Sequence, residues 1–389
     1  MRPNAVEAML PYLADEFANP SGAHRMARRS RCAVDDAREV VADALGFGPH
    51  GVVFTSGGTE ADNLAVRGVT EATGTVALCP ATEHHAVLHP VAASGGRTVA
   101  VDSDGVVDLD HLAAQLDAGA GAPVGLVSVM LVNNESGVVA DLDAVADVVR
   151  ERAPDALLHT DAVQGVNWTD VAAATAPADL VSLSGHKFGG PKGVGVLAMR
   201  DSTRIAAQML GGGQEAERRS GTHNTAGIVA FGSALAELSA TREGDVARIA
   251  VERDRLADGL TGRIEGCRLS VDPKRLATVR PGAGGNGAGG NGAGGNGAGA
   301  GRAAGLCQLL IEGIETEALL VLLDRCDVMA SAAASCASGA MEPSHVLAAM
   351  GCDRATAAGS LRLSLGWCTQ PWEVDRALEA IPECVSRLR

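Results

Sequence analysis

Ala178-Asp179-Leu180-Val181-Ser182-Leu183-Ser184-Gly185-His186-Lys187 joins a short apolar run to a lysine that closely follows it. The run is typical of a buried β-strand, so Lys187 is predicted to lie at a strand end. The chain has 389 residues and only three lysines, which are Lys187, Lys192 and Lys274. Arginine supplies most of the other positive charge, and it cannot replace a primary amine because it stays protonated. Lys187 is therefore either kept for its amine or is a surface lysine in a Gly-rich turn.

Short apolar runs alternate with helical patterns through the first two-thirds of the chain. The predicted strands are Val52–Phe54, Thr75–Cys79, Thr98–Val101, Val124–Val132, Ala156–Thr160, Leu180–Ser184 and Val194–Met199. The helical patterns between them are Ala61–Val69, Leu109–Leu116 and Leu142–Arg150. This alternation predicts an α/β fold whose large domain has a mostly parallel seven-stranded sheet covered by helices. Ligands bind outside the carboxyl ends of strands in such folds. Five polar residues follow predicted strands and are the first site candidates: Thr59, His84, Asn134, Asp161 and Lys187.

The last third of the chain has a different organisation. A helical pattern from Thr225 to about Gly262 precedes a smaller predicted α+β domain. Its predicted elements are a strand at Gly305–Ile311, a helix at Glu315–Arg325, a strand at Ser360–Leu365 and a helix at Pro371–Leu388. Gly282–Gly301 repeats Gly-Ala-Gly-Gly-Asn and has no side chain to anchor a core, so a flexible coil is expected rather than a phosphate-binding loop. The expected division is a large domain at residues 13–243 and a small domain from residues 1–12 and 244–389.

Composition narrows the class of protein. The net charge of −15, the 2% aromatic content and the absence of Lys/Arg runs argue against direct binding of nucleic acid or an anionic membrane. Nine cysteines without a C-x-x-C pair fit neither a disulfide framework nor a structural zinc site. The first residues lack a signal-peptide pattern, and no apolar run is long enough to span a bilayer. We therefore expect a cytoplasmic enzyme without membrane contact.

Two further segments suggest a particular cofactor. His159-Thr160-Asp161-Ala162-Val163-Gln164 places a carboxylate one strand before Lys187. Pyridoxal phosphate needs a lysine for its Schiff base and a carboxylate that keeps its pyridine nitrogen protonated. Thr55-Ser56-Gly57-Gly58-Thr59-Glu60 opens a helix, where backbone N–H groups favour a phosphate. It does not match G-x-G-x-x-G, which disfavours a dinucleotide. Either segment alone also fits an ordinary turn.

Together these segments resemble the pyridoxal-phosphate-dependent cysteine desulfurases of the NifS-like group. That group has the class-V aminotransferase fold, an aspartate-aminotransferase-like arrangement called fold type I. The resemblance runs almost end to end and is interrupted by the Gly-Ala-Asn repeat. Its matching segments, in chain order, are Asn19-Pro20-Ser21 with His24, Thr55–Glu60, Thr82-Glu83-His84, Val132-Asn133-Asn134-Glu135, Asp161-Ala162-Val163-Gln164, Ser184–Lys187, Arg219-Ser220-Gly221-Thr222, Ser335-Cys336-Ala337-Ser338 and Ser360-Leu361-Arg362-Leu363-Ser364.

The resemblance implies pyridoxal 5'-phosphate as the cofactor and assigns residues to it. Lys187 would form the Schiff base, Asp161 would pair with the pyridine nitrogen, and His84 would stack on the ring and act in catalysis. Asn134 and Gln164 would contact the ring hydroxyl. The residues that would hold the phosphate are Gly58, Thr59, Ser184, His186 and Thr222. Thr222 would reach the phosphate of a neighbouring subunit, which implies a homodimer.

The resemblance also implies L-cysteine as the substrate. Arg362, together with Asn134, would bind the substrate carboxylate, a task that suits a planar guanidinium. Cys336 lies in Ala332–Gly339, a stretch too poor in large side chains to pack a core, so its thiol could ionise and attack. It would take the sulfur as a persulfide, release L-alanine and pass the sulfur to an iron–sulfur scaffold or a tRNA-thiolation enzyme. No resident metal is expected, and Cys336 would contact an iron–sulfur cluster only transiently. Cys79, Cys307 and Cys326 are interpreted as buried structural cysteines.

The sequence departs from the family's pattern at its front. Family members carry a strand and an Asp-x-Ala-Ala-Thr-Thr-Pro segment before the residues that match Met1–Asn4. We expect that the natural start lies upstream, and the alternative is a variant with an impaired substrate pocket. Other classes also remain open: a class-V transaminase, a selenocysteine lyase and a non-catalytic truncated homologue. A nicotinamide oxidoreductase is the weakest of them because the glycine fingerprint is missing.

Deleting Gly282–Gly301 is expected to leave cofactor binding intact, because this repeat offers no side chain that could anchor a core or a ligand. The bound cofactor absorbs near the edge of the visible range, so a spectrum of the purified deletion protein is the measurement. Loss of that absorbance in a deletion protein that keeps its circular dichroism would contradict the expectation.

Overall fold

The computed structural model describes residues 1–118, 121–279, 300–332 and 344–389. These residues form two compact units. The first comprises Met1–Val99, Leu109–Leu131 and Asp141–Arg242, and the second comprises Ala100–Asp108, Val132–Ala140 and Glu243–Arg389. This division differs from the predicted one in four places. Residues 1–12 belong to the first unit, whereas residues 100–108, residues 132–140 and residue 243 belong to the second.

The described residues form strands β1 (Val52–Thr55), β2 (Val76–Pro80), β3 (Arg97–Val99), β4 (Val124–Ser128), β5 (Val138–Val139), β6 (Leu157–Asp161), β7 (Leu180–Ser184), β8 (Gly195–Met199), β9 (Cys267–Leu269), β10 (Gly301–Arg302), β11 (Leu306–Ile311), β12 (Ser331–Ala332) and β13 (Ser360–Ser364). The helices are α1 (Pro3–Leu13), α2 (Arg25–Leu45), α3 (Gly58–Thr73), α4 (His85–Ala93), α5 (Leu109–Asp117), α6 (Leu142–Arg152), α7 (Val171–Ala174), α8 (Thr225–Arg263), α9 (Thr316–Asp324), α10 (His345–Ala349), α11 (Arg354–Ala358) and α12 (Pro371–Leu388). Within these ranges, no helix combines the length and the apolar character that crossing a membrane requires.

The first unit is built on a sheet that has seven strands among the described residues, in the order β1-β8-β7-β6-β4-β2-β3. β8 pairs antiparallel with β1 and β7. The other neighbours pair in parallel. Six strands therefore share one direction, and their carboxyl ends lie along one edge of the sheet. The predicted mostly parallel seven-stranded sheet is confirmed.

Burial explains why these apolar runs form strands of a parallel sheet. Every residue of β2, β7 and β8 is buried, which a strand achieves only when both of its faces are covered. α3 contributes Leu64 and Val69 to the same core as Leu126 of β4 and Leu197 of β8. Burial of each such side chain stabilises the folded state by about 1.5–3 kcal/mol.

β4 is shorter than the predicted Val124–Val132 for a specific reason. The strand ends at Ser128, and the N–H of Met130 donates to the carboxylate of the buried Glu83. A backbone donor bonded to a side chain cannot also bond to a neighbouring strand. Glu83 therefore takes the place of a strand partner on one side just beyond the end of β4, while backbone hydrogen bonds to β6 continue on the other side.

The position of residues 1–12 follows from Arg2, a residue that is 1% exposed. Its N–H donates to the carbonyl of Gly189 at 2.8 Å, and its Nε donates to the carbonyl of Phe188 at 3.0 Å. Its Nη1 lies 2.8 Å from a carboxylate oxygen of Glu237. A buried arginine needs such partners, so the chain start is held against the first unit.

The second unit is a smaller α+β unit. Its main sheet has the order β12-β13-β11-β9 within the described residues, with every neighbouring pair antiparallel. β10 pairs with β5, so Gly301 belongs to a strand and not to the predicted coil. A separate cluster forms the core around Leu310, Val346 and Leu347.

Candidate functional site

Most of the predicted cofactor residues lie at the carboxyl edge of the seven-stranded sheet. This edge holds Gly58 and Thr59 after β1, His84 after β2, Asp161 and Gln164 at and beyond the end of β6, and Ser184, His186 and Lys187 at and beyond the end of β7. Thr222 belongs to the same unit but lies in the loop before α8. Asn134 and Arg362 belong to the second unit. Cys336 lies outside the described residues.

Lys187 is held at the edge by a tight turn. Gly185–Lys187 forms one turn of 3-10 helix directly after β7. A Cβ on Gly185 would lie 2.9 Å from the Phe231 ring and 3.0 Å from the carbonyl oxygen of Pro191, so only glycine fits there. The carbonyl of Lys187 accepts a hydrogen bond of 3.0 Å from the side chain of Asn167. Its backbone is fixed while its side chain is exposed, so a ligand can reach the amine.

Asp161 is the last residue of β6 and aligns with Ser182 of β7. It is 7% exposed, and its Oδ1 accepts the N–H of Val163 at 2.8 Å. Burial raises the pKa of Asp161 to about 6, against the hydrogen bond from Val163 and the charge of Lys187, which lower it. Ionised Asp161 is thus only partly compensated. A protonated pyridine nitrogen is the kind of partner that such a carboxylate lacks, so pyridoxal phosphate fits here.

Two more buried carboxyl groups surround Asp161. Burial raises the pKa of Asp62 and of Glu83 well above the ordinary range, and the negative charge of Asp161 raises both further. Burial therefore favours the neutral form of both groups more than it would be favoured in water. Asp161 is the member of this trio that the Lys187 charge helps to ionise.

His159 lies two residues before Asp161, so both side chains point to the same face of β6. Its Nδ1 lies 2.8 Å from the hydroxyl of Ser128, and its Nε2 lies 2.9 Å from the hydroxyl of Ser182. Complete burial lowers the pKa of His159 to about 3, so the ring is neutral. Asp62 Oδ1 lies 3.8 Å from His159 Nε2 and has no hydrogen-bond partner among the described residues. A neutral network thus supports the strand that presents Asp161.

The start of α3 is suited to a phosphate. Gly57 precedes the helix, and in the described chain no side chain caps that end, which leaves the first N–H groups to an anion. A Cβ on Gly58 would lie 2.9 Å from the side chain of Val163, so the close approach requires glycine. The hydroxyl of Ser184 lies 2.9 Å from His186 Nδ1. Burial, and then the charges of Lys187 and Lys192, lower the pKa of His186, so its ring is neutral.

His84 is oriented by its own helix. It precedes α4, and its Nδ1 accepts the N–H of Ala86 at 3.1 Å. The ring is exposed and lines a cavity of about 650 Å³ together with Thr59 and Asn63. Thr59 and His84, which come from different strand ends, thus border one open space. A fixed, exposed imidazole can stack on an aromatic ligand.

Arg219 connects the segment that contains Thr222 to the start of α3. Its Nε lies 2.7 Å from Glu60 Oε1 and its Nη2 lies 3.2 Å from Glu60 Oε2. Burial raises the pKa of Glu60, but hydrogen bonds from Arg219 and Ser56 outweigh this and lower it. This two-bond ion pair is stronger than a single contact. Thr222, three residues later, is exposed.

Sequence reasoning missed Glu215. Glu215, Ala216 and Glu217 have φ values of 51°, 54° and 64°, a left-handed turn that costs about 1–2 kcal/mol per residue. The carboxylate of Glu215 accepts two hydrogen bonds from Arg38, at 2.7 and 2.9 Å, and one from the N–H of Phe54 at 2.8 Å. His223 Nε2 lies 2.5 Å away. The side chain thus fixes the turn shortly before Arg219, and nothing in the Glu-Ala-Glu sequence indicates a left-handed turn.

Asn134 and Arg362 are brought together within the second unit. Arg362 Nη1 donates to the carbonyl oxygen of Asn134 at 3.3 Å. Arg362 lies on β13, where it pairs with Gln308 of β11 on one side and with Ser331 of β12 on the other. Burial lowers the pKa of Arg362, and the charge of Glu135 raises it. This guanidinium can bind a carboxylate.

Comparisons with known proteins agree with this geometry. The family model of the class-V aminotransferases matches residues 1–279. The chain is similar to the cysteine desulfurase IscS of Methanosarcina thermophila, at 36% identity over 397 residues that cover 100% of this chain and 90% of the relative. It is also similar to a solved NifS-like protein, with a TM-score of 0.85 and 29% identity over 100% of this chain and 97% of that one. The structure of SspA in complex with cysteine gives a TM-score of 0.74 and 26% identity over 94% of this chain and 95% of that one.

Asp161→Asn is expected to stabilise the cofactor-free protein at high pH while weakening its affinity for pyridoxal phosphate. The pKa of Asp161 is raised from 3.8 to about 6, so this group favours the folded state below pH 3.8, and that contribution is lost as pH rises through about 6. Near pH 8 the variant should unfold with a free energy on the order of 2–3 kcal/mol higher than the parent. Urea unfolding at several pH values measures this difference, and cofactor titration measures the affinity. The exposed Asp155→Asn is the matched control, and a gap independent of pH would contradict the assignment.

Glu215→Gln is expected to lower the free energy of unfolding by on the order of 3 kcal/mol at pH 7. Burial raises the pKa of Glu215, but His223, Arg38 and Phe54 lower it to about 2, below its ordinary value of 4.5. Its stabilisation is therefore present above pH 4.5 and is lost as pH falls towards 2. The gap between parent and variant should close over that range in urea unfolding. Glu217→Gln, in the same turn but exposed, should change little, and an equal loss in both variants would refute the role of Glu215.

Proposed function

Because the chain belongs to the class-V aminotransferase family, whose members depend on pyridoxal phosphate, we propose that it acts as a cysteine desulfurase. The observation that carries this proposal is the pairing of Asp161 and Lys187 at the ends of neighbouring parallel strands. A relative named cysteine desulfurase is 36% identical across the whole chain, and a solved relative binds cysteine. The reaction converts L-cysteine into L-alanine and leaves the sulfur on the enzyme.

Pyridoxal phosphate, when bound, supplies an electron sink for the bonds at the substrate's α carbon. Lys187 would attach the cofactor covalently, and its amine would take the proton from the α carbon of the substrate. Asp161 would keep a proton on the pyridine nitrogen, and the hydrogen bonds of His159 to Ser128 and Ser182 support the strand that presents Asp161. His84 would stack on the ring, and Asn134 and Gln164 would contact its hydroxyl.

The phosphate end of the cofactor is assigned to the start of α3 and the end of β7. The uncapped N–H groups at Gly58 and Thr59 would face the dianion, and the hydroxyl of Ser184 and the neutral ring of His186 would add hydrogen bonds. Thr222 would contact the phosphate of the second copy in a homodimer. The ion pair of Glu60 and Arg219 supports this because it fixes the segment that ends at Thr222.

The sulfur step is assigned to Cys336. Arg362 binds the carboxylate of L-cysteine, and the Cys336 thiolate attacks its sulfur. The S–S bond forms as the C–S bond breaks, and the carbon skeleton takes up a proton and leaves as L-alanine. The balance is L-cysteine plus Cys336 thiol giving L-alanine plus Cys336 persulfide. The persulfide then passes its outer sulfur to an acceptor in the cytoplasm, either an iron–sulfur scaffold or a tRNA-thiolation enzyme.

Cys336→Ser is expected to reduce the formation of alanine and sulfide from L-cysteine by at least about a thousandfold, because it removes the nucleophile. The bound-cofactor absorbance should remain, since the Lys187 amine is intact. Lys187→Ala should lose both the covalent attachment and the activity. Cys368→Ser is the matched control because Cys368 is an exposed thiol elsewhere in the chain. Unchanged sulfide release from Cys336→Ser would exclude the desulfurase assignment, and transaminase activity that survives in this variant would favour a transaminase.

A further inference from the structure

Glu135, a residue with no assigned role, is buried beside Arg362 in the second unit. Its N–H and that of Ser136 both donate to Asn133 Oδ1 at 2.9 Å, so the backbone of Glu135 is fixed by a tight turn. The residue is 4% exposed. A carboxyl group that is buried this deeply needs partners for its oxygens.

Those partners come from three other elements. The hydroxyl of Ser344, the residue that caps α10, donates to Glu135 Oε2. Gln308 of β11 hydrogen-bonds to the same carboxyl group, and Arg362 of β13 acts on it through its charge. Among the described residues, Arg362 is thus the charged group that faces Glu135, while Ser344 and Gln308 are neutral.

Arg362 has capacity left for another anion. Its Nη1 donates to the carbonyl of Asn134, but its buried Nε has no hydrogen-bond acceptor among the described residues. A guanidinium stays protonated even when burial lowers its pKa. A second carboxylate that reached Arg362 would therefore share its positive charge with Glu135.

The charge state of Glu135 can respond to that sharing at neutral pH. Burial raises its pKa to about 7, while the hydrogen bond from Ser344, the charge of Arg362 and the hydrogen bond from Gln308 lower it. A substrate carboxylate on Arg362 would bring a like charge close to Glu135 and offset part of the arginine's effect. Ionisation of two carboxyl groups at one site is unfavourable, because their negative charges repel each other.

We propose that Glu135 takes up a proton from solvent when the carboxylate of the substrate binds to Arg362. Glu135 is then a positioning residue whose negative charge acts on Arg362 when the site is empty and is neutralised when the substrate arrives. This inference rests on the proposed role of Arg362 in binding the substrate carboxylate. If binding requires this proton uptake, the affinity for the carboxylate falls as pH rises through neutrality, because protonating Glu135 becomes less favourable.

Propionate is a suitable probe because it carries the carboxylate without the amine or the thiol of cysteine. Its inhibition constant against L-cysteine would be measured on the cofactor-loaded enzyme between about pH 6 and about pH 8.5. The constant should rise with pH by severalfold, and by no more than about tenfold per pH unit for a single proton. In Glu135→Gln this rise should be smaller, because the neutral amide keeps the shape of the side chain but does not titrate.

Calorimetry supplies a readout that does not depend on turnover. Propionate binding in two buffers of different ionisation enthalpy reports the protons taken up, which should be roughly half a proton near pH 7.5 in the parent. Glu135→Gln should lose this uptake. Ser344→Ala removes a hydrogen bond that favours the ionised form, so its uptake should shift to higher pH. Ser344→Ala also tests the inference if Glu135→Gln does not fold.

Two further variants separate the possible failures. Glu342→Gln alters a carboxyl close in sequence to Ser344 and should leave proton uptake unchanged. If it abolished the uptake instead, Glu135 would not be the group that titrates. If Arg362→Ala left the inhibition by propionate unchanged, the proposed role of Arg362 would fail. If Arg362→Ala weakened the inhibition while Glu135→Gln kept the parent's proton uptake, only the inference about Glu135 would be overturned.

Discussion

The interaction between the buried carboxyl group of Asp161 and the amine of Lys187 is the constraint on which the first unit's chemistry depends. Asp161 ends β6, and Lys187 lies in the turn directly after β7; because these strands pair in parallel, both residues lie at one edge of the sheet. β8 pairs antiparallel with β7, and the tight turn that carries Lys187 lies in the connection between these two strands. Moving β6 by one residue would turn the side chain of Asp161 to the other face of the sheet. The register of strand pairing therefore determines where the residues of the site lie.

The pKa of Asp161 is determined by its surroundings, because burial raises it while the hydrogen bond from Val163 and the charge of Lys187 lower it. Burial and the charge of Asp161 raise the pKa values of Asp62 and Glu83 well above the ordinary range, which disfavours a further negative charge on either group. The ring of His159 is neutral, and it hydrogen-bonds to two hydroxyl groups instead of a carboxylate. Of the three acids that lie close together, Asp161 is the one whose ionisation the charge of Lys187 favours. A ligand cation would find the charge of Asp161 incompletely compensated, which makes electrostatic preorganisation the main property of this edge.

The sequence predicts those parts of the fold and the site that depend on local patterns. Apolar runs locate the seven strands. The carboxyl ends of parallel strands share one edge, so residues just beyond the runs, such as Thr59 and His84, can be predicted to lie at that edge. Long-range contacts are not readable in this way. The end of β4 depends on Glu83, which is remote in sequence, and the location of residues 1–12 depends on the contacts of Arg2. The left-handed turn at Glu215 has no local signal, since its conformation is imposed by Arg38 and by the N–H of Phe54.

Each unit places a carboxyl group of raised pKa beside a cation, and the choice of cation decides where a proton can go. Beside Asp161 the cation is a lysine, which can give up its proton and become a nucleophile or a base. Beside Glu135 the cation is an arginine, which remains charged at any pH that the fold survives. A proton that moves in the first unit can therefore reside on either partner, whereas in the second unit only the carboxyl group can accept it. Lysine suits the position where bonds form and break, and arginine suits the position where an anion is held.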